Sequence, residues 1–139
     1  MKASKISVGT LEDVKVNIKL KLSALWATLM FIYIYVDIIG FYERGMIEEI
    51  IAGRVWVFDI TQTWGMSALI LMTIPSLMTF LSLALAARVN RWVNMILASL
   101  YIIVAINNPI GETWIPTWFG SIVEILLLAL IIWHAWKWP

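Results

Sequence analysis

Four long apolar runs divide the chain, and charged residues collect between them. The runs cover residues 22–42, 63–87, 92–108 and 115–136. A helix rises about 1.5 Å per residue and the hydrocarbon core of a bilayer is about 30 Å thick, so runs of this length are typical of membrane-spanning helices. The pattern predicts an all-α transmembrane four-helix bundle that forms a single integral membrane domain, residues 1–139, with helices at about 10–42, 63–87, 92–108 and 115–137.

The first predicted helix starts before its apolar run. Thr10 resembles an N-cap, and Glu12 and Asp13 would follow it in the first turn, where acids favour the positive end of the helix dipole. Residues 14–22 alternate between apolar and polar side chains, which by itself is typical of a strand. We interpret them as helix, because the chain offers no second strand for pairing and because Lys15 and Lys19 stand at helical spacing.

The segments between the runs carry further predictions. Residues 46–52 place two acids between isoleucines and end before Gly53, which predicts a short amphipathic helix in the first outer loop. Residues 54–59 are apolar enough to lie over the mouth of the bundle. Residues 88–91 form a very short predicted turn, which makes the second and third spanning helices antiparallel neighbours.

Composition and charge define the class and the orientation. Hydrophobic residues make up 62% of the chain, against about 45–50% in soluble domains, so we expect a multi-pass protein of the cell membrane. The net charge of +1 argues against a nucleic-acid partner. Basic residues concentrate on the side of the two termini, which predicts that both termini are cytoplasmic. They are Lys2, Lys5, Lys15, Lys19, Lys21, Arg88, Arg91 and Lys137, against Arg44 and Arg54 on the other side.

Small and polar residues mark the predicted contact faces, because such residues let membrane helices approach closely. These faces follow a seven-residue spacing in every run, as expected of a left-handed bundle. In the first helix the face is Ser23, Ala27, Met30, Ile34 and Asp37. The faces of the other helices run through Pro75 and Ser82, through Asn94 and Tyr101, and through Ser121 and Glu124.

Two acids inside the runs are the most informative residues. Asp37 lies about 7 Å below the outer end of the first helix, and Glu124 lies about 9 Å below Trp118 at the outer end of the fourth. The two acids are therefore expected at similar depth. An acid at mid-membrane costs about 2.5–3.5 kcal/mol on insertion scales, so intramembrane acids indicate a functional site.

Other polar side chains fall in the same outer half, whereas the inner half is apolar except at its rim. This asymmetry predicts a polar ligand-binding pocket that opens toward the outer face. Its predicted residues are Asp37, Glu124, Tyr33, Asn107, Asn108, Ser121 and Ser67. If the two carboxylates approach each other, desolvation and like charge disfavour double ionisation, and the pair holds one proton near neutral pH. Such a site suits an organic cation, a proton-coupled substrate or the headgroup of a lipid or isoprenoid.

The alternative is a structural role for both acids. Asp37 would then bond Tyr33, an asparagine or a helix-end amide. Glu124 would be neutral and bonded to Ser121 or Asn108. The sequence leaves this alternative open.

Cofactor chemistry has no support in the sequence. The chain has no cysteine, its single histidine, His134, cannot hold a transition metal alone, and no phosphate-binding loop or nucleophile elbow is present. We therefore predict no cofactor, no metal and no catalytic residue. The expected partners are membrane lipids, with a homodimer or a larger membrane complex as possibilities.

The chain resembles an uncharacterised family of small microbial four-helix membrane proteins, a domain of unknown function. The matching stretches are residues 11–37, 74–85, 89–94, 123–125 and 135–139. The resemblance implies the four-helix architecture and supplies no activity.

Three functions fit these observations. The leading hypothesis is a small integral membrane protein that binds or transports a small molecule or lipid-like ligand through the outward-facing pocket. The first alternative is an accessory or scaffolding subunit of a larger membrane complex. The second is a membrane enzyme that acts on a lipid or isoprenoid, with the carboxylates as acid and base.

Overall fold

The computed structural model describes residues 14–139 and confirms the all-helical bundle. The helices are α1 (Ile18–Gly40), α2 (Met46–Ile51), α3 (Gln62–Ala84), α4 (Ala87–Asn107) and α5 (Ile115–Trp136). Strands β1 (Arg54–Val55) and β2 (Phe58–Asp59) form a small antiparallel hairpin after α2. Within this part of the chain, α1, α3, α4 and α5 are the helices long and apolar enough to span a membrane.

The four long helices run alternately in opposite directions, so the bundle has two different ends. We call the end with the α1–α3 and α4–α5 connections the loop end, and the other end the terminal end. Hydrogen bonds from Lys19 Nζ to Leu85 O (2.6 Å) and from Arg91 Nη2 to Trp136 O (3.2 Å) join the helices at the terminal end. Helix α5 packs on α1 and α4, and α1 also packs on α3, whereas α3 and α4 pair only loosely.

Helix α1 begins later than predicted. The predicted start at Thr10 lies outside the described residues, residues 14–17 are not helical, and Asn17 is the N-cap. Asn17 Oδ1 accepts a hydrogen bond from the backbone N–H of Lys19 at 2.9 Å, which satisfies one of the N–H groups that a helix start leaves free. The helix ends at Gly40 instead of residue 42.

The turn predicted at residues 88–91 is wrong. Helix α3 ends at Ala84 and α4 begins at Ala87, so extended Leu85 and Ala86 form the whole link. Asn90, which indicated a turn by its polarity, is fully buried, and its Nδ2 donates to Ser82 O at 2.6 Å. Its amide joins two helices instead of facing water.

The predicted contact faces of α4 and α5 are confirmed, but the face of α1 is not. Helix α4 buries Asn94, Ala98, Tyr101 and Ala105, and α5 buries Ser121, Glu124, Leu128, Ile131 and Ala135. Helix α1 instead buries Leu22, Ser23, Trp26, Leu29 and Tyr33, while Ile34 and Asp37 are exposed. The buried face of α1 carries large side chains, so small residues were the wrong marker there.

The terminal half of the bundle contains a buried polar network, contrary to the prediction of an apolar inner half. Trp26 Nε1 donates to Asn94 Oδ1 at 2.7 Å, and Asn94 Nδ2 donates to Asn90 Oδ1 at 2.6 Å. Asn90 in turn donates to Ser82 O, so the network connects α1, α4 and α3. Because these buried polar groups donate to and accept from one another, the network stabilises the packing of the terminal half.

Gly120 sets the distance between α1 and α5 toward the loop end. A Cβ atom built at residue 120 would collide with the side chain of Val36, whereas a Cβ atom built on Gly65 in α3 would meet no neighbouring atom. Glycine inside a helix costs up to about 1 kcal/mol relative to alanine, so its presence here reflects the close approach. The contact also fixes which level of α5 faces which level of α1.

We expect Gly120→Ala to lower the free energy of unfolding by about 1–3 kcal/mol, because the added methyl group overpacks the contact with a stiff valine. Denaturant unfolding in detergent micelles, followed by circular dichroism, measures the change. The double variant Gly120→Ala/Val36→Ala should recover part of the loss.

Gly65→Ala is the matched control, since its methyl group meets no neighbour. It should leave stability unchanged or raise it slightly. Equal effects at the two glycines would contradict the role given to the Val36 contact.

Candidate functional site

Two adjoining cavities occupy the loop end of the bundle. The deep cavity has a volume of about 110 Å³, and the mouth cavity has a volume of about 730 Å³. Both are bordered by Val36, Asp37, Leu71, Met72, Val104 and Asn108. These shared lining residues show that the two cavities adjoin.

The deep cavity is surrounded by buried polar atoms that lack partners. Tyr33 and Glu124 line it, and Ser121 lies one helical turn from Glu124 on α5. Within the described part of the chain, Tyr33 Oη, Ser121 Oγ and Glu124 Oε1 are buried without a hydrogen-bond partner. The structural alternative, in which Ser121 satisfies Glu124 and Tyr33 satisfies Asp37, therefore finds no support in these side chains.

Asp37 and Glu124 border the same deep cavity but do not lie at the same depth. Gly120 faces Val36, Asp37 lies one residue toward the loop end from Val36, and Glu124 lies one turn toward the terminal end from Gly120. At 1.5 Å per residue, the backbone of Glu124 is about 7 Å deeper than that of Asp37. The expectation of matched depth is wrong, because it assumed that the helix ends coincide. Both side chains border the deep cavity from these two levels.

A proline in α3 brings Tyr101 into the wall of the deep cavity. Pro75 has no backbone N–H, so the carbonyl of Leu71, one turn earlier, loses its helical donor. Tyr101 Oη of α4 donates to Leu71 O and supplies the missing bond. Other helices commonly restore such freed backbone groups in membrane proteins.

Tyr101 lines the deep cavity, and Trp26 packs against its ring. Their rings meet edge to face, with centroids 6.3 Å apart and an interplanar angle of 86°. Trp26 is fully buried, and Asn94 holds its Nε1. The described helices therefore leave the cavity a floor at this level and an opening at the loop end.

The loop segment between α1 and α3 covers the mouth cavity. Met46 and Ile50 of α2 line it, as do Val55, Trp56 and Phe58 of the hairpin, in agreement with the prediction for residues 54–59. Trp56 has a φ of 58°, in the left-handed region that is uncommon for a bulky residue. A backbone of this kind costs about 1–3 kcal/mol and persists where the surroundings impose it.

The structure brings together most of the predicted site residues. Tyr33, Asp37, Asn108 and Glu124 border the deep cavity, and Asn107 borders the mouth cavity. Ser67 borders neither, because it is exposed on α3 and its Oγ donates to Thr63 O within the same helix. Ser121 is buried beside Glu124 without lining either cavity.

Sequence reasoning missed Tyr101, Glu43 and Glu112 as cavity residues. Tyr101 was predicted to lie on a contact face. Pro75 in α3, which leaves a backbone carbonyl without its helical donor, was the feature of the sequence that indicated a need for the Tyr101 hydroxyl. Glu43 and Glu112 line the mouth cavity from two different loops, and nothing in their local sequence shows that these loops meet.

The walls of both cavities are acidic. Asp37, Glu43, Glu112 and Glu124 line them, and no lysine, arginine or histidine is among their lining residues in the described chain. Desolvation, followed by the negative charges of Glu112 and Glu49, raises the pKa of Glu43 above its ordinary value. Among residues 14–139, no group of three His, Asp or Glu side chains could hold a metal ion.

A four-helix membrane protein with a carboxylate-lined cavity at one end is the class that the fold and the site define. The chain belongs to DUF6326, a family of unknown function whose model matches residues 11–139. This match confirms the resemblance to a family of unknown function. Comparison with curated proteins and with solved structures found no match.

Tyr101→Phe should lower the free energy of unfolding by about 1–3 kcal/mol, because it leaves the carbonyl of Leu71 without a donor. In a Pro75→Ala background, residue 75 regains its N–H and the same substitution should cost clearly less. Denaturant unfolding of the four proteins in micelles gives the coupling energy of this double-mutant cycle.

Tyr35→Phe serves as the control, since Tyr35 is exposed on α1. It should change stability little in either background. Additive effects of the Tyr101 and Pro75 substitutions would show that the carbonyl of Leu71 does not connect them.

Glu43→Gln should stabilise the protein in a pH-dependent manner. The pKa of Glu43 is raised in the folded state, so folding favours the protonated side chain. The resulting contribution to the free energy of unfolding is fully present below the ordinary glutamate pKa of about 4.3 and is lost as pH rises through the raised value. The variant should match the wild type in acid and exceed it near neutral pH, by no more than about 0.5 kcal/mol at this partly exposed position.

Thermal unfolding midpoints across this pH range provide the measurement. Glu112→Gln, which removes one of the neighbouring charges, should produce a smaller change of the same sign. A gain that is equal at every pH would rule out charge repulsion as its cause.

Proposed function

We propose that this membrane protein binds a small molecule in the two adjoining cavities at its loop end. The ligand's polar group would lie in the deep cavity between Asp37 and Glu124, and the remainder would lie in the mouth cavity. Asn107 and Asn108 at the end of α4 offer further hydrogen bonds along the path.

The observation that carries the proposal is the group of unpartnered buried atoms at the deep cavity. Tyr33 Oη, Ser121 Oγ and Glu124 Oε1 lie within a bundle whose terminal half satisfies its buried amides. A buried polar atom without a partner costs about 1–3 kcal/mol, and a buried acid costs more. Two of these atoms belong to residues that line an accessible cavity, and Ser121 lies beside one of them, which favours a bound molecule or ordered water as their partner.

Binding is favoured over transport by the floor of the cavity. A transporter must expose the same site to each side of the membrane in turn. Here Trp26, Tyr101 and Asn94 close the path toward the terminal end through packed rings and a buried hydrogen bond. A transport cycle would have to separate these residues, whereas binding requires no such change.

We place the protein in the cell membrane with its loop end outward. Lys19 and Arg91 lie at the terminal end, where they contact Leu85 O and Trp136 O, and among the other described basic residues Lys15, Lys21, Arg88 and Lys137 belong to the same end. Segments rich in lysine and arginine stay on the cytoplasmic side. The cavity would then receive molecules from outside the cell or from the outer leaflet.

We expect a panel of cationic, neutral and anionic small molecules to contain compounds that raise the thermal unfolding midpoint of the purified chain in micelles. Asp37→Asn and Glu124→Gln should each weaken binding by at least about tenfold, since a hydrogen bond to a charged group contributes about 1.5–3 kcal/mol. Titration of the stabilising compounds measures the affinities.

Ser67→Ala is the matched control, because Ser67 lies outside both cavities and bonds only its own helix. It should bind as the wild type does. The proposal fails if no compound of any charge stabilises the wild type, or if the Asp37 and Glu124 variants bind with unchanged affinity.

A further inference from the structure

The charge of the cavity walls points to the class of the ligand. Four acids line the continuous space, Asp37 and Glu124 around the deep cavity and Glu43 and Glu112 around the mouth. Arg44 and Arg54 are exposed and are not part of the described walls of either cavity. In a site of low dielectric without a neighbouring protein cation, the missing positive charge is best supplied by the ligand.

The deep cavity has the size and the acceptors for one ammonium group. Glu124 is 1% exposed and Tyr33 is 8% exposed; both are buried side chains that line this cavity, and each has an oxygen without a hydrogen-bond partner. A primary ammonium carries three N–H donors, which match the oxygens of Glu124, Tyr33 and Asp37. Asp37 and Glu124 both line the cavity that such a group would occupy.

The mouth cavity suits an apolar body. Phe41, Trp56, Phe58 and Trp64 contribute aromatic walls to a volume of about 730 Å³. This space is far larger than a bare inorganic cation needs, and aromatic faces also attract organic cations. The two cavities therefore fit the two parts of one amphiphilic molecule, with its charged end innermost.

We propose that the ligand is a primary organic amine, bound as its ammonium ion, whose apolar body lies in the mouth cavity. This inference rests on the proposed function and narrows it to one chemical class. The ammonium donates to Glu124 and Asp37, and Tyr33 Oη accepts the remaining N–H. The aromatic residues of the loop segment enclose the body.

The experiment compares four probes that share one ring and differ in the end group. They are 2-phenylethylamine, its N,N,N-trimethyl ammonium derivative, 2-phenylethanol and 3-phenylpropionate. Titration calorimetry of the full chain in micelles should show that the primary amine binds at least about tenfold more tightly than each of the others. Glu124→Gln and Asp37→Asn should each remove this preference, and Ser67→Ala should retain it.

The outcomes separate this inference from the proposed function. Equal or tighter binding of the alcohol or the carboxylate overturns the amine assignment and leaves a ligand site in place. Equal binding of the trimethyl derivative would show that the site recognises positive charge without the N–H donors, and it overturns the assignment to a primary amine. If none of the four probes binds, the inference is overturned, while the wider panel still decides the proposed function. Asp37→Asn keeps the test decisive if Glu124→Gln does not fold, because Asp37 is exposed to the cavity.

Discussion

The hydrogen bond between Tyr101 and the carbonyl of Leu71 is the interaction on which the loop half of the bundle depends. Pro75 breaks the helical ladder of α3, and in a bilayer the freed carbonyl must find another donor. The donor comes from α4, a helix with which α3 pairs only loosely. A long side chain thus spans a gap between two helices that do not pack closely. The deep cavity lies where that gap meets α1 and α5.

The amides buried in the terminal half and the polar groups beside the deep cavity differ in their hydrogen bonding. In the terminal half, Trp26, Asn94 and Asn90 satisfy one another and connect three helices. In the loop half, Tyr33, Ser121 and Glu124 retain unpartnered atoms around open space. A fully bonded network stabilises a fold, whereas unpartnered groups cost stability and are retained where something else binds them. The division separates a structural half from a half suited to recognition.

The number of helices and much of the site could be predicted from the sequence, because both depend on local regularities. Bilayer thickness sets the length of an apolar run, and helical spacing placed Ser121 and Glu124 on the buried face of α5. The depth of Asp37 relative to Glu124 could not be predicted in the same way. It depends on the contact of Gly120 with Val36, which sets the axial register of two helices. The prediction of a turn at Asn90 was wrong for a related reason. A polar residue near a helix end has the same sequence pattern whether its side chain faces water or another helix.

Under the proposed function, the loose pairing of α3 and α4 would also affect how a ligand reaches the cavity. Ile103 is exposed on the side of α4 and also lines the mouth cavity, together with Leu71 and Met72 of α3. The cavity therefore extends to the flank of the bundle that faces the hydrocarbon. An amphiphilic molecule partitions into the bilayer and is more concentrated there than in water. A molecule that enters along this flank therefore comes from the bilayer. Its occupancy then follows its concentration in the bilayer, so a modest intrinsic affinity is enough to fill the site at low aqueous concentration.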